Sequence, residues 1–345
     1  MRWARRCAAL VLSGFLLCSC TITKPNNERS LSPVGKVLTL EVDGDLGADI
    51  LAKSKSFANR VEQLSNGKLI INVETGGAGE QNLLQGTCDL AFLSSQQASQ
   101  ADDIFSTLSL PFFYDDAAHM SLALNSEEMT DILTSRLSQK NLMPLAAIYN
   151  GSPCFITKKG LLRSPSDFKK LVMVLNSNSV PKADAFRMLD ADVSTYPMQS
   201  VVEVFNKEER VRDEDGNNIG RVEAVELELQ QVPELSEDPN DLFLIRTSHA
   251  IIPLWFMANA QSISNLSDFE QAVLREASAG LIADMEQIWQ ETESNLIRQF
   301  KDQGITVVDA ERLEFAAAIY DNKEPADLPP YFDWQVYRTI QLFID

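Results

Sequence analysis

Between Lys36 and Leu93, short apolar runs alternate with amphipathic helical segments, and this rhythm limits most strongly what the chain can become. Val37, Leu38, Leu40 and Val42 form a strand ending in the turn signal Asp43-Gly44-Asp45. Ile50, Leu51, Phe57, Ala58, Val61 and Leu64 then keep to one helical face until Asn66-Gly67 supplies a left-handed stop. Leu69, Ile70, Ile71 and Val73 make a second strand, Gly76-Gly77-Ala78-Gly79 opens a short helix, and Asp89-Leu90-Ala91-Phe92-Leu93 makes a third strand with Ser94 and Ser95 at its carboxyl end. Such alternation predicts an α/β fold with a mostly parallel sheet covered on both faces, in which ligands bind outside the strand carboxyl ends. The glycine cluster lacks both the GxGxxG spacing and the Lys-Ser/Thr of a phosphate loop, so no nucleotide site is expected there.

Ser109 to His119 breaks the rhythm. Pro111 cannot donate a ladder hydrogen bond and biases Leu110 toward an extended conformation. Asp115 and Asp116 offer a helix N-cap ahead of His119, Met120, Leu122 and Leu124. A loop carrying Phe112, Phe113 and Tyr114 either packs in the core or walls a cleft. Further on, the capping box Ser267-x-x-Glu270 starts the longest helical pattern, running through Phe269, Val273, Leu281, Met285, Trp289 and Ile297 to Gly304. At ~1.5 Å per residue this helix is long enough to brace two lobes, and 345 residues suffice for two.

The first residues read as a targeting segment: Arg2, Arg5 and Arg6 precede an apolar run from Ala8 to Leu17. Leu17-Cys18-Ser19-Cys20 resembles the bacterial lipobox. Residues 1–19 are therefore expected to be a lipoprotein signal peptide, Cys20 the lipidated N-terminus, and 20–35 a flexible tether. No other stretch approaches 18 unbroken apolar residues, so membrane contact is expected only through the lipid. The chain has 30 Lys+Arg against 49 Asp+Glu, a net charge of −19 that becomes −22 without the three leader arginines, which disfavours nucleic acid as a partner. Cys88 and Cys154 are expected as buried free thiols, and the two histidines, His119 and His249, as structural groups. No HExxH, GxSxG or CxxC occurs, and no Cys/His cluster has ligand spacing, so neither enzyme chemistry, metal nor cofactor is expected.

Several segments, taken in order, resemble the periplasmic receptors of TRAP transporters, the DctP-like family. They are Phe57-Ala58 to Val61 with Gly67-Lys68-Leu69, Gly86 with Asp89-Leu90-Ala91, Leu110-Pro111-Phe112-Phe113 with His119, Ser164 to Leu171, Glu203-Val204-Phe205, and Thr247-Ser248-His249-Ala250. The resemblance implies a bilobal periplasmic-binding-protein-like fold, with two mixed sheets flanked by helices and a long helix bridging both lobes. Lobe I is expected over 36–149 and about 239–285, and lobe II over 150–238 and about 286–345. It also implies delivery of a solute to a membrane permease, and two arginines that grip a substrate carboxylate.

The chain departs from that pattern at the grip. Gly151-Ser152-Pro153 replaces a family "G-aromatic-Arg", Val174 falls at the family's other arginine, Val201 near its aromatic, and Leu227 at its polar amide. Without a bidentate arginine partner, drying a carboxylate is unfavourable. The expected ligand is thus a hydrophobic or amphipathic small molecule, such as a lipid or fatty acid, at a site of Ser94, Phe112, Asn150, Pro153, Val174, Val201, Leu227 and Trp255. The alternative is an assembly scaffold whose cleft has filled with side chains. Residues 207–221 look like a charged hairpin inserted into the family pattern, and the departures together resemble a variant group that also works beside a TPR-repeat lipoprotein.

Overall fold

The computed structural model describes residues 35–343 apart from 178–179, 252 and 321–327; the expected signal peptide, Cys20 and nearly all of the tether lie outside these residues. Strands β1 (Lys36–Asp43), β2 (Leu69–Gly76), β3 (Leu90–Leu93) and β4 (Leu142–Tyr149) come first in the chain and share one sheet. The helix Gly47–Ser65 between β1 and β2 ends where the pattern required, with Asn66 at φ 52° and Gly67 at φ 74°. The chain then crosses to a second sheet and lays down β5 (Cys154–Thr157), β6 (Val172–Asn176) and β7 (Asp192–Tyr196). A separate hairpin follows, β8 (Arg210–Arg212) with β9 (Asn218–Arg221), and then β10 (Ala224–Leu227) and β11 (Phe243–Arg246) of the second sheet. β12 (Pro253–Asn259) returns to the first sheet and β13 (Thr306–Asp309) completes the second.

Both sheets are mixed. In the first, of order β2-β1-β3-β12-β4, β1 runs parallel to β2 and β3 while β12 is antiparallel to β3 and β4. The second, of order β13-β11-β5-β10-β6-β7, has β5 as its inverted member. Two boundaries differ from expectation. Residues 239–246 belong with the second lobe, because Leu244 and Ile245 on β11 fill the gap between β5 and β13. The C-terminal helix Trp334–Gln341 packs on the first-lobe helices Ala117–Leu124 and Glu127–Leu137, where the Ile340 carbonyl accepts the His119 Nε2–H at 3.0 Å.

The capping box at Ser267 and Glu270 opens a helix of 36 residues, Asp268–Gln303, about 54 Å long. It packs on β4 and the helix Gly47–Ser65 at one end and on β13 at the other, so it spans both lobes. Phe269, expected on its buried stripe, is 48% exposed. Gly304 closes it in the left-handed region at φ 103°.

The aromatic loop takes the core alternative and does so across the lobes. Phe112 stacks on Phe315 at 5.2 Å and meets Phe186 edge-on at 6.2 Å, and Phe113 contacts Tyr114 and Tyr337. Phe112 sits at φ 57°, a costly conformation for a bulky side chain. Its N–H donates to the His249 carbonyl at 2.9 Å and its carbonyl accepts from Arg312 at 3.1 Å, which holds the backbone there. One apolar cluster consequently contains Leu93 and Trp255 of the first sheet and Phe155, Met173 and Ile245 of the second. Replacing Phe112 by Ala is predicted to lower stability by about 3–5 kcal/mol. The urea midpoint would show it, and an unchanged midpoint would mean the ring contributes nothing to the joint.

Candidate functional site

A cleft of about 330 Å³ opens where the two sheets face each other. From the first lobe, Ser94 and Ser95 stand at the end of β3, joined by Gln96, Ser99, Ser106 and Ser109. Ser94 caps the helix Ser95–Ala101 and shares a capping box with Gln97, which fixes the serine-rich turn. From the second lobe come Asn176 and Ser177 at the end of β6, Leu227 and Glu228 at the end of β10, Lys182 and Met198. Strand carboxyl ends from both lobes thus supply the walls, as the fold type requires. Leu46, Met198, Leu227 and Leu254 give the cleft apolar surface beside its hydroxyl-bearing wall.

The floor of the cleft carries a buried ion pair. Lys182 and Glu226 are 5% and 3% exposed and their charged groups are 2.5 Å apart. Glu226 also accepts from His249 Nε2–H at 3.0 Å and from the Asn176 N–H at 3.2 Å. His249 Nδ1 in turn faces the Thr247 hydroxyl at 2.6 Å. Burial alone would raise the Glu226 carboxyl, but the Lys182 charge and the hydrogen bond from His249 outweigh it and hold the group down to about 2. Burial also pushes His249 below its usual range, against the pull of Glu226, so the imidazole stays neutral, donating from Nε2 and accepting at Nδ1. Lys182 and Glu226 cancel, and the cleft keeps one further carboxyl, Glu228, which burial raises above its usual range against the pull of Lys182.

Residues 49–208 and 222–324 match the bacterial extracellular solute-binding protein family 7, DctP. The chain belongs to this family. The match omits residues 209–221, which hold the β8–β9 hairpin expected as an insertion. The 2,3-diketo-L-gulonate-binding periplasmic protein YiaO of Escherichia coli K12 is 27% identical over 238 residues, 68% of this chain and 67% of its own length. A TRAP periplasmic solute-binding protein of Rhodobacter sphaeroides, crystallised in an apo open form, aligns with a TM-score of 0.73 at 17% identity, covering 89% of this chain and 97% of that one. One from Sulfitobacter with bound β-D-galacturonate aligns at 0.65 and 16% identity over 89% and 99%.

Within this family-7 frame the expected site residues divide. Ser94, Asn150, Pro153 and Leu227 line the cleft. Val174 does not: it lies two residues short of the end of β6, fully buried with Val201 in the second-lobe core, and Asn176 takes the place at the cleft. Trp255 is packed edge-on against Phe105 at 4.8 Å, and Phe112 is committed to the inter-lobe core. The cleft is accordingly not the uncharged, greasy cavity expected, because Lys182 and Glu226 reach it. A sequence signal for this existed: Glu226 is the sole charge in the short apolar strand Ala224-Val225-Glu226-Leu227, and a buried carboxylate demands a partner. Cys88 and Cys154 are free and buried, as expected, and burial raises both thiols, Cys88 to about 12.

Acid should destabilise the protein in two stages. His249 and Glu226 both bind protons more weakly in the folded chain than at their ordinary values of 6.5 and 4.5. The stability each contributes is therefore complete above those values and is lost as pH falls below 6.5 for His249 and from 4.5 toward 2 for Glu226. Lys182→Met, which strands Glu226, is predicted to cost about 3–5 kcal/mol at neutral pH, with most of it recovered in Lys182→Met/Glu226→Leu. Urea midpoints across this pH range check both statements.

Proposed function

We propose that this family-7 receptor is exported, acylated on Cys20 and held at a membrane surface, where it captures an uncharged, amphipathic, hydroxyl-bearing solute and delivers it to a TRAP-type permease. The observation that carries the ligand reading is the Lys182–Glu226 pair at the cleft floor. Among the described residues the one cation lining the cleft is already matched by an internal carboxylate, and Glu228 adds a further carboxyl group. An acidic solute would have to displace Glu226 from Lys182 and leave that carboxylate buried without its partner. A neutral solute meets no such penalty. The Ser177 hydroxyl and the Asn150 amide offer hydrogen bonds, Ser95 and Ser99, which donate to the Pro253 and Gln96 carbonyls, and Ser94, which accepts from the Gln97 N–H, keep further hydrogen-bonding capacity, and Leu46, Met198 and Leu254 offer apolar contact worth about 0.8 kcal/mol per methylene.

Of the hydrophobic or amphipathic ligand expected from the sequence, the wholly hydrophobic alternative finds less support, since Phe112, Val174, Val201 and Trp255 lie away from the cleft. A scaffold with a filled cleft is also less favoured, because about 330 Å³ stands open. The β8–β9 hairpin is the element we assign to a further partner of the TPR-repeat type. Glu214 in its turn is tied to Arg187 at 2.7 Å, and Val211 is fully buried, so the hairpin is a held projection.

Native mass spectrometry of the protein released under mild conditions is predicted to show a co-purifying molecule with no acidic group. A co-purified carboxylate would overturn the ligand reading, and protein that is empty and stays empty when offered periplasmic extract would favour the scaffold. Metabolic labelling with an alkyne fatty acid is predicted to mark the wild type and not Cys20→Ser.

A further inference from the structure

The segment that carries the chain between lobes has two faces. Asn150 and Gly151 border the solute cleft, whereas Tyr149, Ser152 and Cys154 border a second cavity of about 600 Å³, and Pro153 touches both. This second cavity therefore lies behind the crossing segment, walled by the bridging helix and by residues of both lobes.

Its charge is unusual for so acidic a chain. Arg298 and Lys301 on the bridging helix and Arg246 at the end of β11 all line it. Arg298 and Lys301 are three residues apart and so share one helix face. Neither has an ion-pair partner among the described residues, and Arg246 has only the exposed Asp309 at 3.2 Å. The acids facing the same space are already engaged. Asp116 caps the helix Ala117–Leu124 by accepting from the His119 N–H at 2.8 Å. Glu293 accepts from the Tyr149 hydroxyl at 2.5 Å and from the Ser152 N–H at 3.2 Å, and burial pushes its carboxyl above the usual range. Arg298 and Lys301 are thus available to a ligand, while Arg246 is shared between Asp309 and the nearby charge of Glu293. Ser248, on the same wall, holds a left-handed backbone at φ 50°, and a strained residue of this kind persists where its surroundings hold it in place.

We propose that this rear cavity is a second binding site, for a small multivalent oxyanion of the phosphate type held by Arg298, Lys301 and Arg246. Guanidinium forks and an ammonium around one recess are the donor set such an anion requires, and Ser248 and Ser294 add hydroxyls beside them. Arg246 ends strand β11 of the second sheet, and Arg298 and Lys301 flank Phe300, which is buried in the second-lobe core, so one lobe holds the whole donor set together. The site is independent of which solute the cleft accepts.

Calorimetric titration of the full chain with inorganic pyrophosphate at fixed ionic strength tests this. Saturable one-to-one binding is expected, weakened by about tenfold or more in Arg298→Gln/Lys301→Gln. Both side chains are exposed, so the double variant should melt as the wild type does. Lys55→Gln/Arg275→Gln removes the same charge elsewhere and is expected to bind as the wild type. No saturable binding, unchanged affinity in the first variant, or equal loss in the second would overturn the proposal.

Discussion

A carboxylate cannot be buried in a sheet without a partner, and the second lobe is arranged around meeting that requirement for Glu226. Its strand, β10, lies between β5 and β6, so the side chain leaves a region where water is excluded on both faces. Lys182, His249 and the Asn176 N–H come from three separate elements to satisfy it. Each is thereby located relative to the others. The end of β6, the first turn of the helix Val180–Met188 and the 247–249 turn become a single unit, and the cleft floor inherits its shape from an internal electrostatic demand.

The second constraint is covalent. The chain passes between lobes at 149–154, again between β11 and β12, and along the bridging helix. Gly151, in the first of these passages, adopts φ 87°, and a Cβ there would come within 3.1 Å of Trp289. Phe112 adds a noncovalent link by joining Phe315 and Phe186. These passages and the shared apolar joint together tie the two lobes to one another.

Much of the fold was legible because its signals are local. The stop at Asn66-Gly67, the Asp116 cap and the Ser267/Glu270 box each follow from the chemistry of a few adjacent residues, and each falls where the pattern put it. Lobe boundaries were less legible, since strand β11 and the C-terminal helix join partners far away in sequence, and periodicity carries no record of which sheet a strand enters. The site was half legible for a related reason. Ser94, Asn150, Pro153 and Leu227 sit at strand ends or passages, where position along an element predicts exposure to the cleft. Val174, reached by counting along a family pattern, lies two residues inside β6 and in the core, because only the last residue of this short strand, Asn176, reaches the opening. Lys182 stands in the first turn of a helix, and nothing nearby marks it as the mate of a glutamate 44 positions on.

The aromatic joint has a consequence for how the molecule is made. Phe112 and Phe113 leave the ribosome well before Phe186, and the ring on which Phe112 stacks, Phe315, follows about 200 residues later. At roughly 5–20 residues per second, that oily loop waits on the order of ten seconds or more without its final neighbour. Throughout that interval the loop lacks the ring it finally stacks on, so the first half of the chain cannot complete its interior before the last stretches arrive.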